Sequence, residues 1–419
     1  MTLRPGMPLR LKNEIPIRKG IRHEDLEQIR AIKKRKLLSR SAVFQRLHHE
    51  IDDICYAMEF GRPKGRQPER PHRRFLRAVT WNIERGNRLD GLKAFIASTP
   101  EIVDSDVLML NEVDIGMARS GNRNVAAEIG ELLGFEHVFG NSYLCLDHGD
   151  VRDGTHEVEN ETGMHGNAIL SRWPIRRAEN FSVHMTKDKF HSSERRLGHK
   201  KALWAEIETP FGLLPVVSVH LDPIASTFHR VLQIRDVMKV VEGRGLGPRV
   251  LLGGDLNTAT YDMQSIFGLM LNIGKKLLRG GFPHAIHHYM HPFELYERGV
   301  FETLREHGFS WEGMNDMSKG TTRYEVGTFD SESKVRDHLP EFAVKLLRHK
   351  LKPWNGIAPI KIDWFMGRGL IGLADAEEKE AEGRESLSPR TFEKPKWDGR
   401  QLSDHDPVLV DFKFCSSLS

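Results

Sequence analysis

Cysteine is scarce in this chain. Its 419 residues hold three, Cys55, Cys145 and Cys415, widely spaced and with no Cys-x-x-Cys pair. That argues against a disulfide scaffold and a thiolate zinc site, and fits a reducing compartment. Also missing is an apolar run long enough to span a bilayer. Residues 1–19 carry charges and lack the continuous apolar core of a signal peptide. The expectation is a cytoplasmic chain with no stable membrane insertion. No Gly-rich, phosphate-cradling loop opens a helix, so a doubly wound nucleotide-binding sheet fits poorly. Hydrophobic content, at 39%, is somewhat low for a compact domain, so part of the chain is expected as tail or insertion.

Charge is present but unevenly placed. Residues 1–77 hold 20 Lys/Arg against 9 Asp/Glu, a net +11, and the rest holds 42 against 49, a net −7. A basic arm on a mildly acidic body can approach nucleic acid, anionic lipid or an acidic partner, or can be a solvated helical extension. Apolar residues recur at helical spacing over residues 23–60, interrupted by Lys33-Lys34-Arg35-Lys36. Residues 61–72, rich in Pro, Gly and basic side chains, read as a linker. The expected division is a basic helical extension and linker over residues 1–74 and a catalytic domain over residues 75–414.

The domain opens with alternating strands and helices. Strands are expected at residues 75–81, 106–110, 165–171 and 249–252, with a hairpin formed by residues 202–208 and 213–220. Helices are expected from Leu89, after an Asn124 cap with Gly134 closing, and over residues 227–241. Asn82, Glu112, His220 and Asp255 each follow an apolar run directly, whereas Asp363 and Asp404-His405 stand at the starts of runs. For all to share one edge, the last two strands must oppose the first four, which predicts mixed or antiparallel sheets. Gly253-Gly254 reads as a tight turn that lets Asp255 and Asn257 project together.

The collected groups are oxygen-rich with few histidines, which suits Mg²⁺ or Mn²⁺ better than zinc. A hard cation that stabilises charge on phosphoryl oxygens, with a base to aim water, is what phosphate ester hydrolysis needs. The motifs Thr80-Trp81-Asn82-Ile83, Leu110-Asn111-Glu112-Val113-Asp114, Gly166-Asn167-Ala168-Ile169-Leu170-Ser171, Val219-His220-Leu221-Asp222, Gly254-Asp255-Leu256-Asn257, Ile362-Asp363-Trp364 and Ser403-Asp404-His405-Asp406-Pro407 follow in that order. In wording and order they resemble the endonuclease/exonuclease/phosphatase superfamily with its DNase I-like fold. The resemblance covers roughly residues 75–257 and 360–413.

It implies an α+β four-layer α/β/β/α sandwich with two mixed, mostly antiparallel sheets, and metal-dependent phosphoester hydrolysis. It further implies that Glu112 holds Mg²⁺ with support from Asn82 and Asp404, and that Asp255 orients the attacking water. Asn257 would bind phosphate, His405 oriented by Asp363 would contact the scissile phosphate or act as base, and His220 would donate to a phosphate oxygen or the leaving group. Arg119, with Ser120, and Asn167 would line the substrate side. Asn111 stands where the family commonly has Gln and is expected behind the metal ligands.

Two insertions, at about residues 258–360 and 374–400, fall outside the resemblance. The first holds an apolar run over residues 265–278 that reads as a packed lid helix or, ending in lysines, a lipid-surface helix. It also holds His284, His287, His288 and His291 at helical spacing, which could make a zinc-binding face, although Pro283 and Pro292 crowd that stretch. The second reads as a mobile charged loop. The expected function is a Mg²⁺-dependent phosphodiesterase, with nucleic acid as first substrate. A lipid or inositol phosphoester hydrolase is the alternative, and an inactive binding module the third reading. Oligomeric state is left open.

Overall fold

The structure, a computed structural model, describes residues 21–65, 73–149, 158–260, 266–325, 349, 351–354, 356–374 and 389–415. Residues 1–20, most of the expected linker and residues 375–388 of the second insertion lie outside them.

Two sheets form the centre. The first has nine strands among the described residues, in the order Met58–Gly61, Glu136–Cys145, Met164–Ser171, Val107–Ile115, Leu76–Arg85, Val408–Phe414 and Leu370–Gly372, with two short strands alongside. The second has six, in the order Phe309–Ser310, Asp363–Arg368, Val250–Asp255, Gly212–His220, Lys201–Thr209 and Ile175–Ser182. Leu76–Arg85 runs parallel to Val107–Ile115, and Gly212–His220 parallel to Val250–Asp255. Asp363–Arg368 and Val408–Phe414 run antiparallel to their neighbours Val250–Asp255 and Leu76–Arg85. The opposed direction required by the polar strand ends is therefore present.

The strands read as unbroken apolar runs because both of their faces are covered. Ala78, Val107, Met109 and Ile169 of the first sheet pack on Leu203, Val216, Leu251 and Phe365 of the second. Their alternates Val79, Trp81, Leu108 and Leu110 face outward onto Leu92, Ile96 and Ile129 of the helices Leu89–Ser98 and Val125–Leu133. On the far side, Val217, Val219, Leu252 and Trp364 pack on Ile234 and Val237 of the helix Thr227–Gly243 and on Val300, Phe301 and Leu304 of the helix Arg298–Glu306. This is the four-layer α+β sandwich, and each fully buried Leu or Phe contributes roughly 1.5–3 kcal/mol to holding the layers together.

Three expectations change. Residues 58–60, expected as the end of a helix, form with Gly61 an edge strand antiparallel to Glu136–Cys145. The preceding helices His23–Ala31 and Ala42–Tyr56 bury Ile29, Leu47, Ile51 and Ile54 in the same core as the first sheet. Gly253 and Gly254 lie inside the strand Val250–Asp255 rather than in a turn. Gly254 has φ 131°, and a Cβ there would meet Val219 O at 2.0 Å, so the position serves close backbone approach. The first insertion is more than a lid. Its residues Phe309–Ser310 extend the second sheet, and Glu297 forms a buried ion pair with Arg230 of the Thr227–Gly243 helix.

Candidate active site

Strand register brings the polar groups to one edge. In the second sheet Asp255 pairs with His220 on one side and with Asp363 on the other. In the first sheet Asn82 pairs with Asn111, the residue before Glu112. The ladder between these two strands is irregular past Asn82, and Glu84, Arg85 and Glu112 take positive φ of 46°, 69° and 52°. Such local bulges re-aim side chains at the ends of strands. Here they accompany Glu112 approaching the groups of the other sheet.

Asn82 Nδ2 donates to Glu112 Oε1 (3.3 Å) and to Asp255 Oδ2 (3.2 Å), linking the two sheets. His220 Nε2 lies 3.6 Å from Asp255 Oδ2 and 3.9 Å from Glu112 Oε1. His405 Nε2 lies 3.8 Å from the same Asp255 oxygen, while His405 Nδ1 is hydrogen-bonded to Asp363 Oδ2 at 2.8 Å. Asp255, Asp363 and His405 form one of the groups among the described residues that could hold a metal ion.

The loop carrying His405 is stitched to the Leu76–Arg85 strand. Ser403 Oγ donates to Asn82 O (2.7 Å) and accepts from His405 N (3.1 Å), and Trp81 Nε1 donates to His405 O (2.9 Å). Asp255 is held equally firmly: its N donates to Asn111 Oδ1 (2.9 Å) and its Oδ1 accepts from Asn257 N (2.9 Å). Asn111 thus sits behind the edge, as expected.

Electrostatics divide the groups. Burial works against a charged His405 ring, but Asp363 and Asp255 prevail and hold it well above the usual imidazole range. Burial pushes the Asp255 carboxyl up to about 7, against His405 and with the Asp363 charge adding to the rise. Burial, then the Lys200 ammonium, keeps His220 well below the usual range, so its ring is neutral. For Glu112 burial opposes ionisation, yet the interactions with the His220 ring and then with the Arg85 guanidinium, at 3.8 Å, hold it well below the usual carboxylate range. An ionised carboxylate at this edge, with Asp255 and Asp404 nearby, supplies oxygen donors of the kind a hard divalent cation takes.

Other expected residues sit elsewhere. Arg119 does not face the edge: its side chain is fully buried and pairs with Asp114 (2.6 Å) and Glu194 (2.7 Å). Asn167 is buried behind Asn111, accepting from its amide at 3.0 Å and donating to Lys201 O at 3.2 Å. Asn257 directs its amide to Leu221 O at 2.9 Å. Asp404, with its side chain 55% exposed, reaches only to 4.0 Å of His405 Nε2.

Besides Arg85, two more residues at this edge carry no mark in the sequence reading. Glu84 is pushed up to about 7 by burial and then by Asp404, and it follows Asn82 at strand period, a signal that was available. Thr321 Oγ1 accepts from Asp363 N at 3.0 Å and from Ile362 N at 3.1 Å, and lies in the insertion, where no local pattern marks it.

Residues 79–313 match the sequence model described as the Endonuclease/Exonuclease/phosphatase family, a range that runs into the first insertion. No curated protein matches the chain. Among solved structures, an endonuclease/exonuclease/phosphatase from Beutenbergia cavernae is similar at 18% identity and TM-score 0.46, covering 82% of this chain and 72% of its own. A family protein from Leptotrichia buccalis is similar at 13% identity and TM-score 0.44, covering 81% and 100%. D. rerio TDP2 complexed with a single-strand DNA product is similar at 15% identity and TM-score 0.41, covering 81% and 99%. With more than half of its length matched by the family's model, the chain belongs to the Endonuclease/Exonuclease/phosphatase family of metal-dependent phosphoric ester hydrolases.

Proposed function

We propose that the chain is a Mg²⁺- or Mn²⁺-dependent phosphodiesterase, with a nuclease-type substrate as the first choice. The observation that carries this reading is the Asn82 carboxamide set between Glu112 and Asp255, with His220 and His405 both within 4 Å of the same Asp255 oxygen. Glu112 would hold the cation, with the Asn82 amide, which donates to Glu112 Oε1 while its Oδ1 accepts from Glu84 N, supporting that carboxylate, and Asp404 at the open rim. A bound cation supplies charge stabilisation to the phosphoryl oxygens, worth several kcal/mol in the transition state.

The remaining steps belong to the chain's own side chains. Asp255, fixed by Asn82 and by the Asn257 backbone, orients a water toward phosphorus and takes its proton. His405, kept charged by Asp363, donates from Nε2 to a phosphoryl oxygen. His220, neutral at its Nε2, donates to a second phosphate oxygen or to the leaving oxygen, and Arg85 adds positive potential near Glu112. Free Cys55, Cys145 and Cys415 support a reducing, cytoplasmic location. No helix among the described residues is long and apolar enough to cross a membrane.

A lipid or inositol phosphoester is the second reading, favoured by one observation. On the insertion helix Ile266–Met290, Leu278 is 90% exposed and Leu271 48%. Hydrolysis of single-stranded and duplex DNA, RNA, sphingomyelin and inositol phosphates with Mg²⁺ separates the two. The nuclease reading requires turnover of a nucleic acid that is lost in chelator and in the Glu112→Gln and His405→Ala variants. Turnover of sphingomyelin or inositol phosphates alone would replace the nuclease reading, and full turnover in chelator would refute the mechanism.

A further inference from the structure

The first insertion carries a second set of ligating side chains, none of them part of the active site. The helix Ile266–Met290 breaks at Gly280 and Gly281, the latter with φ 70°. Pro283 therefore lies in the first turn after the break, where its missing N–H costs little. Pro292 opens a short 3₁₀ turn, Pro292–Glu294. The two prolines thus bound the histidine-rich turn rather than disrupting it.

The 3₁₀ turn folds Glu294 back over that helix end. His287 Nε2 lies 2.7 Å from Glu294 Oε2, and His288 Nδ1 lies 3.8 Å from the same oxygen. All three candidate ligand atoms are within 4.8 Å of one another. His288 is only 8% exposed, and its Nδ1 is buried with no hydrogen-bond partner among the described residues. Leaving such an atom unsatisfied is unfavourable, and a ligand at this position would relieve it. His287 and Glu294, with side chains 50% and 41% exposed, leave a path for entry from solvent.

We infer that His287, His288 and Glu294 bind a zinc ion through His287 Nε2, His288 Nδ1 and a Glu294 carboxylate oxygen. Two imidazoles and one carboxylate suit zinc, and this cluster is less oxygen-rich than the active-site edge, which suits a hard cation. Tetrahedral zinc with bonds of about 2.0–2.1 Å requires ligand atoms about 3.3 Å apart. The present separations lie on either side of that value, so modest side-chain rotations close the site, with the fourth position left to water.

The ion would tie the helix end to the 3₁₀ turn. Tyr289, next to His288, accepts at its carbonyl from Lys361 N (3.0 Å), two residues before Asp363. Clamping this turn therefore stiffens the approach to the Asp363 strand.

The test counts zinc on the full chain, stripped of metal and then dialysed against micromolar zinc sulfate. Wild type should retain one more zinc per chain than His287→Ala or His288→Ala, and Glu112→Gln should retain that zinc. Cobalt(II) titration of wild type should give the visible absorption of a four-coordinate centre, lost in His287→Ala. His287 is half exposed, so that variant keeps the test valid if His288→Ala folds poorly. Equal zinc content and equal cobalt spectra in wild type and His287→Ala would overturn the assignment, as would loss of the zinc in Glu112→Gln alone.

Discussion

His405 Nδ1 stands 2.8 Å from Asp363 Oδ2, and this pair joins the two sheets at the site. Asp363 begins a strand of the second sheet, while His405 lies in the loop that leads into the Val408–Phe414 strand of the first. Asp363 is fully buried and its Oδ2 accepts from His405 Nδ1, so its carboxylate fixes which way the imidazole faces. Asp363→Asn removes that charge and keeps the shape. The expected result is a fall in kcat of about 10²–10⁴-fold with KM little changed. Steady-state kinetics on a generic phosphodiester with Mg²⁺ checks it, and an unchanged kcat would separate Asp363 from the chemistry.

Arg119 is expected to act on stability, since its guanidinium is enclosed by Asp114 and Glu194. Arg119→Met takes the cation from buried Asp114, while Glu194 keeps Arg196 at 2.9 Å, and the expected loss is about 3–5 kcal/mol. Urea denaturation measures it. A near-wild-type midpoint with a large rise in KM would return Arg119 to the substrate side.

Gly254→Ala should cost about 3 kcal/mol or more, because the new Cβ meets Val219 O at 2.0 Å in a backbone conformation that other residues rarely adopt. Asp255 follows directly, so activity should fall together with the thermal midpoint. Gly243, where a Cβ meets nothing within 4 Å, is the control substitution.

Lys276 yields a pH dependence. Its ammonium is buried, donating to Thr260 O (2.6 Å) and Thr260 Oγ1 (2.7 Å), and burial brings it from 10.5 down to about 7. Between pH 7 and 10.5 the unfolded chain binds more protons at this residue than the folded one. The contribution to stability therefore rises with pH, by at most about 1.4 kcal/mol per unit. Denaturation midpoints of wild type and Lys276→Met from pH 7 to 9 should diverge, the variant having the shallower upward slope. Parallel slopes would show that Lys276 titrates normally.

Much of this was legible from local pattern. Apolar runs of strand length ending in Asn82, Glu112, His220 and Asp255, and runs beginning at Asp363 and after His405, required opposed strands, and the sheets have them. Asn124 caps its helix and Gly134 closes it in the left-handed region, as residue type alone predicts. These features depend on neighbours a few residues away, and the sequence by itself determined them.

Tertiary structure decided what depends on distant partners. Met58–Gly61 becomes a strand because the Glu136–Cys145 edge offers free backbone hydrogen bonds, which outweigh a helical pattern. Arg119 turns inward because Glu194, 75 residues away, completes its pairing, and no spacing rule reports such a partner. Thr321 reaches Asp363 from within an insertion with no pattern of its own. Gly254, which looked like a turn, is a place where the Val219 carbonyl and the Asn111 carboxamide crowd a strand. That pressure comes from packing and from the strand beside it, which a single run of sequence does not contain.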